Sequence, residues 1–293
     1  MDTGGTARTL QRIIPSVATS DGAGVKLRRS IGQSPFTRLD PFLLLDEFSS
    51  FEAGDYIGGF PAHPHRGFET VTYLIDGHML HEDHLGHRGD LKSGAVQWMT
   101  AGRGIIHSEM PQQEHGRMRG FQLWINLPAR EKLKPAAYRD LDPAEIPLVA
   151  LPGGGSARVI AGTLASEARP VAGPIRGLAT EPLYLDVELP AAATFTQAMA
   201  VGHNAFVYVF EGGVNVLSAD AARSLEAHSA GILGAGDRVE LRAGADGAKF
   251  LLLAGRPLGE PVVQHGPFVM NTREEIEQAI RDYQSGELTR SAD

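Results

Sequence analysis

His63 to Ile75 reads HPHRGFETVTYLI, and both halves of this stretch bear on the fold. Phe68 to Ile75 mixes β-branched and aromatic residues, which favours an extended strand, and Asp76-Gly77 closes it with a turn pair. Just ahead, His63 and His65 stand two residues apart, a spacing that puts both side chains on one face of a strand. Downstream, Gln97 to Glu109 (QWMTAGRGIIHSE) places His107 and Glu109 at the same spacing. Eight of the 11 histidines (63, 65, 78, 81, 84, 87, 107 and 115) fall in this part of the chain.

Working outward, the same texture continues. Gln11 to Ser16, Val25 to Arg28, Asp40 to Phe48, Ala95 to Met99, Gly120 to Asn126, Ala157 to Ala161, Leu183 to Leu189, Ala205 to Phe210 and Phe250 to Leu253 read as short strands. They are cut by turns, as 35 Gly and 18 Pro in 293 residues lead one to expect. Short strands with frequent turn signals predict an all-β sandwich or barrel. Pro128 to Pro147 is charged and Pro-punctuated and reads as a connector between halves. One long helix is expected, over residues 272–285: Thr272 and Glu275 fit a capping box, Ile276, Ile280 and Tyr283 form an apolar stripe, and Gly286 ends it. Met1 to Arg8 and Glu287 to Asp293 are expected to be loose. Phe68 to Gly77 (FETVTYLIDG) also resembles Asn204 to Gly212 (NAFVYVFEG), a short internal repeat consistent with two related β-domains.

Composition narrows the function. The net charge of −8 argues against direct nucleic-acid binding, which needs a basic face, and leaves protein partners open. No apolar run is long enough for a membrane helix and no signal-peptide core is visible, so a cytoplasmic protein is expected. With no Cys, disulfides, thiolate nucleophiles and Cys-ligated metals are excluded. No Walker, Rossmann or Gly-x-Ser-x-Gly pattern occurs, and Ser108, between His107 and Glu109, points away from both.

The two pairs at i, i+2 are the strongest chemical signal. If neighbouring antiparallel strands bring them together, His63, His65, His107 and Glu109 supply three imidazoles and a carboxylate. That set suits Fe(II) and also Mn, Ni, Cu or Zn. Glu69 shares the parity of His63 and His65 and stands in reserve as a ligand. Arg66 reads either as an orienting group for a carboxylate or an anionic substrate, or as a solvated surface residue. His78, His81, His84 and His87 read as an exposed strand and hairpin loop, with a second metal site or a pH-sensing loop as the alternative. Trp98, Trp124, Phe60 and Phe68 are candidates for an aromatic pocket or for core packing.

These residues add up to a pattern. His63 to Ile75 and Gln97 to Glu109, together with Ala254 to Tyr283 (AGRPLGEPVVQHGPFVMNTREEIEQAIRDY), resemble the pirins, a bicupin family, over nearly the whole chain. The resemblance implies two cupin β-barrels packed face to face with a supporting C-terminal helix. The expected domains are residues 1–133, metal-binding, and 134–293, metal-free, including the connector and helix. It implies one metal, usually iron, on His63, His65, His107 and Glu109, and prefers Glu109 to Glu69. The chain departs from the family at His81-Glu82-Asp83-His84, where His-x-Asp-Ser is common, and at Gly94-Ala95-Val96, where Gly-Asp-Val is common. These departures bear on substrate access and loop conformation. In the second half, Ala198 and Ala200 stand where His63 and His65 would align, and His203 is the nearest imidazole.

Three functions follow from the resemblance. The first is an Fe(II)-dependent dioxygenase of quercetin 2,3-dioxygenase type, which opens a flavonol ring with O2 and releases carbon monoxide, with Glu109 taking the 3-hydroxyl proton. The second is an iron-redox-sensing regulator that binds a transcriptional or metabolic protein partner. The third is a scaffold whose metal is structural.

Overall fold

The computed structural model describes residues 5–165, 169–218 and 222–290. The chain divides into two compact units. One holds Val17–Arg38, Phe42–Pro143 and the chain from Leu258 onward; the other holds the N-terminal residues through Ser16, Leu39–Pro41 and Ala144–Pro257. In this grouping the N-terminal residues through Ser16 go with the second half of the sequence and the chain from Leu258 onward goes with the first.

The strands of the first unit are, in chain order, β1 (Val17–Asp21), β2 (Val25–Arg29), β3 (Phe42–Ser50), β4 (Phe60–His65), β5 (Phe68–Asp76), β6 (His78–Asp83), β7 (Arg88–Lys92), β8 (Val96–Thr100), β9 (Ile105–Pro111), β10 (Met118–Asn126) and β11 (Ala137–Leu141), with a late hairpin of β12 (Val263–His265) and β13 (Phe268–Met270). An antiparallel sheet runs β11-β8-β5-β10-β3-β2-β1, and a smaller one runs β4-β9-β6-β7. Pro61 and Pro64 explain why β4 is an edge: proline cannot donate to a ladder, so a strand that carries it pairs on one side only. β5 is buried along most of its length, and its alternation separates two environments. Phe68, Thr72 and Leu74 face inward, whereas Glu69, Val71 and Tyr73 face the other way. Val25, Leu27, Phe48 and Leu74 from the larger sheet meet Met79 and Leu91 from the smaller one in a common core.

The C-terminal segment belongs to this unit. The helix α1 (Arg273–Ser285) has the expected capping box: Thr272 Oγ1 accepts from Glu275 N, the Glu275 carboxylate accepts from Thr272 N, and Gly286 ends the helix at φ 76°. Phe268, Met270, Ile276, Ala279 and Leu288 pack together with Ile106 of β9 beside them. The expected loose C-terminus is therefore corrected up to Leu288, which is 2% exposed; residues 291–293 lie outside the described residues.

In the second unit, Asn204–Leu217 and Arg238–Gly255 form a long antiparallel ladder. Leu10–Pro15 pairs with Ser229–Leu233 at the edge. Leu185, Val187, Val207, Phe250 and Leu252 fill its core. The expected fraying of Met1 to Arg8 is partly overturned. Residues 1–4 lie outside the described residues, but Arg8 is buried and its guanidinium donates to the carbonyls of His203 (2.8 Å), Gly234 (3.1 Å) and Ala200 (3.1 Å). No helix among the described residues is long and apolar enough to cross a membrane.

Candidate metal centre

β4 and β9 run antiparallel with His63 directly opposite His107. This register brings the two sequence pairs together. One ligand atom from each of His63, His65 and His107 lies within 4.8 Å of the others. His63 Nε2 and His65 Nε2 are 3.0 Å apart. Two nitrogens at right angles on one ion, with bonds of about 2.1 Å, stand about 3 Å apart, so the pair fits an ion. His107 Nε2 is buried with no hydrogen-bond partner, and an unpartnered imidazole nitrogen beside His63 and His65 leaves a lone pair open to an ion.

The tautomers agree. His63 Nδ1 is 2.8 Å from the Pro61 carbonyl and donates to it, which leaves the Nε2 lone pair free. Burial pushes His65 and His107 well below the ordinary imidazole pKa, and the neighbouring imidazoles add to the effect. Both are neutral at neutral pH, the form that metal binding requires.

Glu109, 4% exposed, follows His107 on β9 and stands opposite His81 of β6. Its Oε1 is 2.8 Å from Thr72 Oγ1, which is also 2.6 Å from the side-chain amide of Gln122. A hydroxyl has one proton. The Gln122 atom nearest Thr72 is Oε1, so both contacts are hydrogen bonds when the Gln122 amide is turned over, its nitrogen donating to Thr72 and Thr72 donating to the Glu109 carboxylate. His63, His65 and Glu109 all open onto a cavity of about 570 Å³, within the ~300–1,000 Å³ range of small-ligand sites. Phe60 and Trp124 line it, and Phe68 packs behind Trp124 with ring centres 4.4 Å apart. Trp98, on the opposite face of the sheet, is core.

Other expectations are revised. Glu69 faces away from the cavity and accepts from Thr100 Oγ1 at 2.8 Å; its burial raises its pKa. Arg66 is not a surface residue, and the carboxylate it holds is that of Asp282 and not a substrate's. It is buried, its Nη1 is 2.6 Å from Asp282 Oδ2 of α1, and its Nε donates to the Arg103 carbonyl. The stretch with four histidines is not wholly exposed. β6 pairs with β9, which carries His81 inside at 1% exposure, with its Nδ1 3.2 Å from His107 Nδ1. For His107 Nε2 to face an ion, His107 Nδ1 must donate to His81 Nδ1. His81 thus orients His107, a role the reading of the sequence missed. The available signal was Met79-Leu80, an apolar pair that marks the stretch as part of a buried strand.

The C-terminal hairpin forms part of the cavity rim through Gln264, Gly266 and Pro267. It is tied down by Lys132, whose buried ammonium donates to the carbonyls of Gly67 (2.7 Å) and Val269 (3.0 Å) and to Asn126 Oδ1 (2.6 Å). Gly67, at φ +91°, has no room for a side chain: a Cβ there would lie 2.0 Å from the Val269 carbonyl oxygen.

Fold and site together define a bicupin with, among the described residues, one cluster of imidazoles suited to a metal. Comparison with known proteins places it further. The pirin family model matches residues 24–125 and the pirin C-terminal cupin domain matches residues 184–289. A pirin-like protein of Caulobacter vibrioides is 50% identical over 279 residues, covering 95% of this chain and 98% of that protein. Human pirin is 43% identical over 283 residues, covering 96% and 94%. The crystal structure of a quercetin 2,3-dioxygenase from Acinetobacter baumannii matches with a TM-score of 0.86 at 34% identity, covering 97% of this chain and 99% of that one. The chain belongs to the pirin family.

Proposed function

We propose that this pirin is a metal-dependent dioxygenase of quercetin 2,3-dioxygenase type, with a divalent ion, Fe(II) first among them, held by His63, His65, His107 and Glu109. The observation that carries the reading is the cavity of about 570 Å³ with aromatic walls that opens onto His63, His65 and Glu109. The similar Acinetobacter protein, named a quercetin 2,3-dioxygenase, supports the choice of a flavonol-like substrate.

When bound, the ion supplies Lewis acidity to the substrate hydroxyl and a path for electrons to dioxygen. The chain supplies the rest. Glu109 takes the proton of the flavonol 3-hydroxyl, and Thr72 holds the other side of its carboxylate so that the accepting oxygen faces the cavity. Phe60 and Trp124 hold the flat rings and exclude water from the electron-rich anion. His81 keeps His107 in the ligating tautomer. The ring then opens with O2, and carbon monoxide leaves.

The test is oxygen uptake and carbon monoxide release by Fe(II)-loaded protein given quercetin, with Mn, Ni, Cu and Zn loading in parallel. Uptake lost in His107→Ala supports the reading. No uptake by protein that holds its metal overturns it and directs the search to a redox-responsive protein partner.

A further inference from the structure

The polar residues of the cavity form a row. Thr72 of β5, Gln122 of β10, Asp46 of β3 and Arg29 of β2 stand on four adjacent strands, each directly opposite the next. All four line the cavity. The row starts at Glu109, which accepts from Thr72, and ends at Arg29. Arg29 forks onto Asp46 at 2.8 and 2.7 Å and reaches Asp21 at 2.9 Å. Two residues along the strands to one side, Leu44 faces Trp124; to the other side, Phe48 faces Gly120. A polar stripe therefore runs between apolar rows. With strands about 4.8 Å apart, Asp46 is about 10 Å and Arg29 about 14 Å from Thr72 along the sheet.

Stability alone does not account for the stripe. The Asp46 side chain is 4% exposed and that of Arg29 24%, so the pair loses much of its water for a return that is small beside apolar packing, and the rows on either side are Leu, Phe and Trp. We propose that the row is a recognition rail on which Asp46 and Arg29 set specificity for the end of the substrate remote from the imidazoles. The ligand class it fits is an elongated planar aromatic with phenolic hydroxyls at both ends. The proposal rests on the reading of this cavity as the substrate site.

The chemistry of the rail selects hydroxyls over other groups. A phenolic O–H donates to Asp46 or Asp21 while its oxygen accepts from the guanidinium, so one group satisfies both signs. A carboxylate would meet a guanidinium already forked by Asp46, together with two like charges. A bare ring end would cover the ion pair without replacing its water, the situation in which polar sites reject analogues that lack a hydroxyl.

Anaerobic binding to the metal-loaded protein tests this without turnover, read by quenching of tryptophan fluorescence. The ligands are 3-hydroxyflavone, 3,3′,4′-trihydroxyflavone and 4′-carboxy-3-hydroxyflavone. The wild type is expected to bind the trihydroxy compound at least about tenfold tighter than the unsubstituted one, and the carboxylate most weakly. Asp46→Asn is expected to bring the first two within about threefold of each other. The double variant Arg29→Met, Asp46→Leu keeps the wall's volume without its charge and is expected to favour the unsubstituted ring. Binding of all three ligands within threefold by the wild type overturns the rail, whether or not the variants fold, as does a preference that persists in the folded variants. A preference without oxygen uptake would sink the dioxygenase reading and leave the rail standing. Turnover without preference would do the reverse.

Discussion

The metal-free protein is expected to lose stability on mild acidification, in a window set by the candidate ligands. His65 and His107, 3% and 1% exposed, are held well below the ordinary imidazole value by burial, and burial lowers His81 as well. In the unfolded chain each titrates near 6.5. Above that pH neither state binds the proton and the groups contribute nothing. Below it the unfolded chain takes protons that the native state refuses, so each strongly lowered group removes about 1.4 kcal/mol per pH unit. At pH 5.5 His65 and His107 together cost about 2.8 kcal/mol relative to pH 7.5. Asp46 opposes them: burial raises it to about 6, so the native state binds its proton first and regains about 0.8 kcal/mol by pH 5.5. These three groups together give a loss of about 2 kcal/mol; lowered His81 adds to it and raised Glu69 works against it, so the direction is a loss on acidification. Urea unfolding in the presence of a chelator at pH 7.5, 6.5 and 5.5 measures it. Both tryptophans, Trp98 and Trp124, lie in the unit with the imidazoles, so their fluorescence reports that unit. A midpoint that stays constant from pH 7.5 to 5.5 would show that these imidazoles are not held neutral by burial and would refute the electrostatic description of the site.

Three further outcomes are expected. Glu109→Gln loses turnover of quercetin while keeping measurable metal; full activity in this variant removes Glu109 as the base. His81→Ala weakens metal binding by about 10- to 100-fold in chelator competition, as loss of a ligand's orienting partner does, and His81→Asn recovers part of the loss. Unchanged affinity in the Ala variant contradicts the tautomer argument. Gly67→Ala costs at least about 2 kcal/mol, because it adds backbone strain at φ +91° to a clash with Val269, and it exposes the C-terminal segment to limited proteolysis. Wild-type resistance would mean that the hairpin accommodates the methyl group.

Several features were legible in the sequence for identifiable reasons. The strand at Phe68 to Ile75 carries β-branched and aromatic residues on both faces and needs no distant information. The pairs His63/His65 and His107/Glu109 were legible because a strand's period of two fixes which side chains share a face. Helix α1 was legible because a capping box is local chemistry. The misread features all depend on distant partners. His81 lies in a glycine-flanked stretch that reads as an exposed strand and hairpin loop until β9 pairs with it and buries it. Arg66 resembles a surface residue until Asp282, 216 positions away, reaches it. The recognition row joins residues from four strands that are adjacent only after the sheet forms, and no spacing along the chain encodes it. How the terminal segments group was not legible for the same reason: the N-terminal residues through Ser16 belong with Ala144–Pro257 and the chain from Leu258 onward with Phe42–Pro143.

The central claim is that His63, His65 and His107 hold one metal. Anaerobic equilibrium dialysis against Fe(II), with the metal-to-chain ratio read by elemental analysis, tests it most directly. The account predicts one ion per wild-type chain and loss of that ion in both His63→Ala and His107→Ala, with the variants still folded. One ion retained in either variant, or two in the wild type, would contradict it.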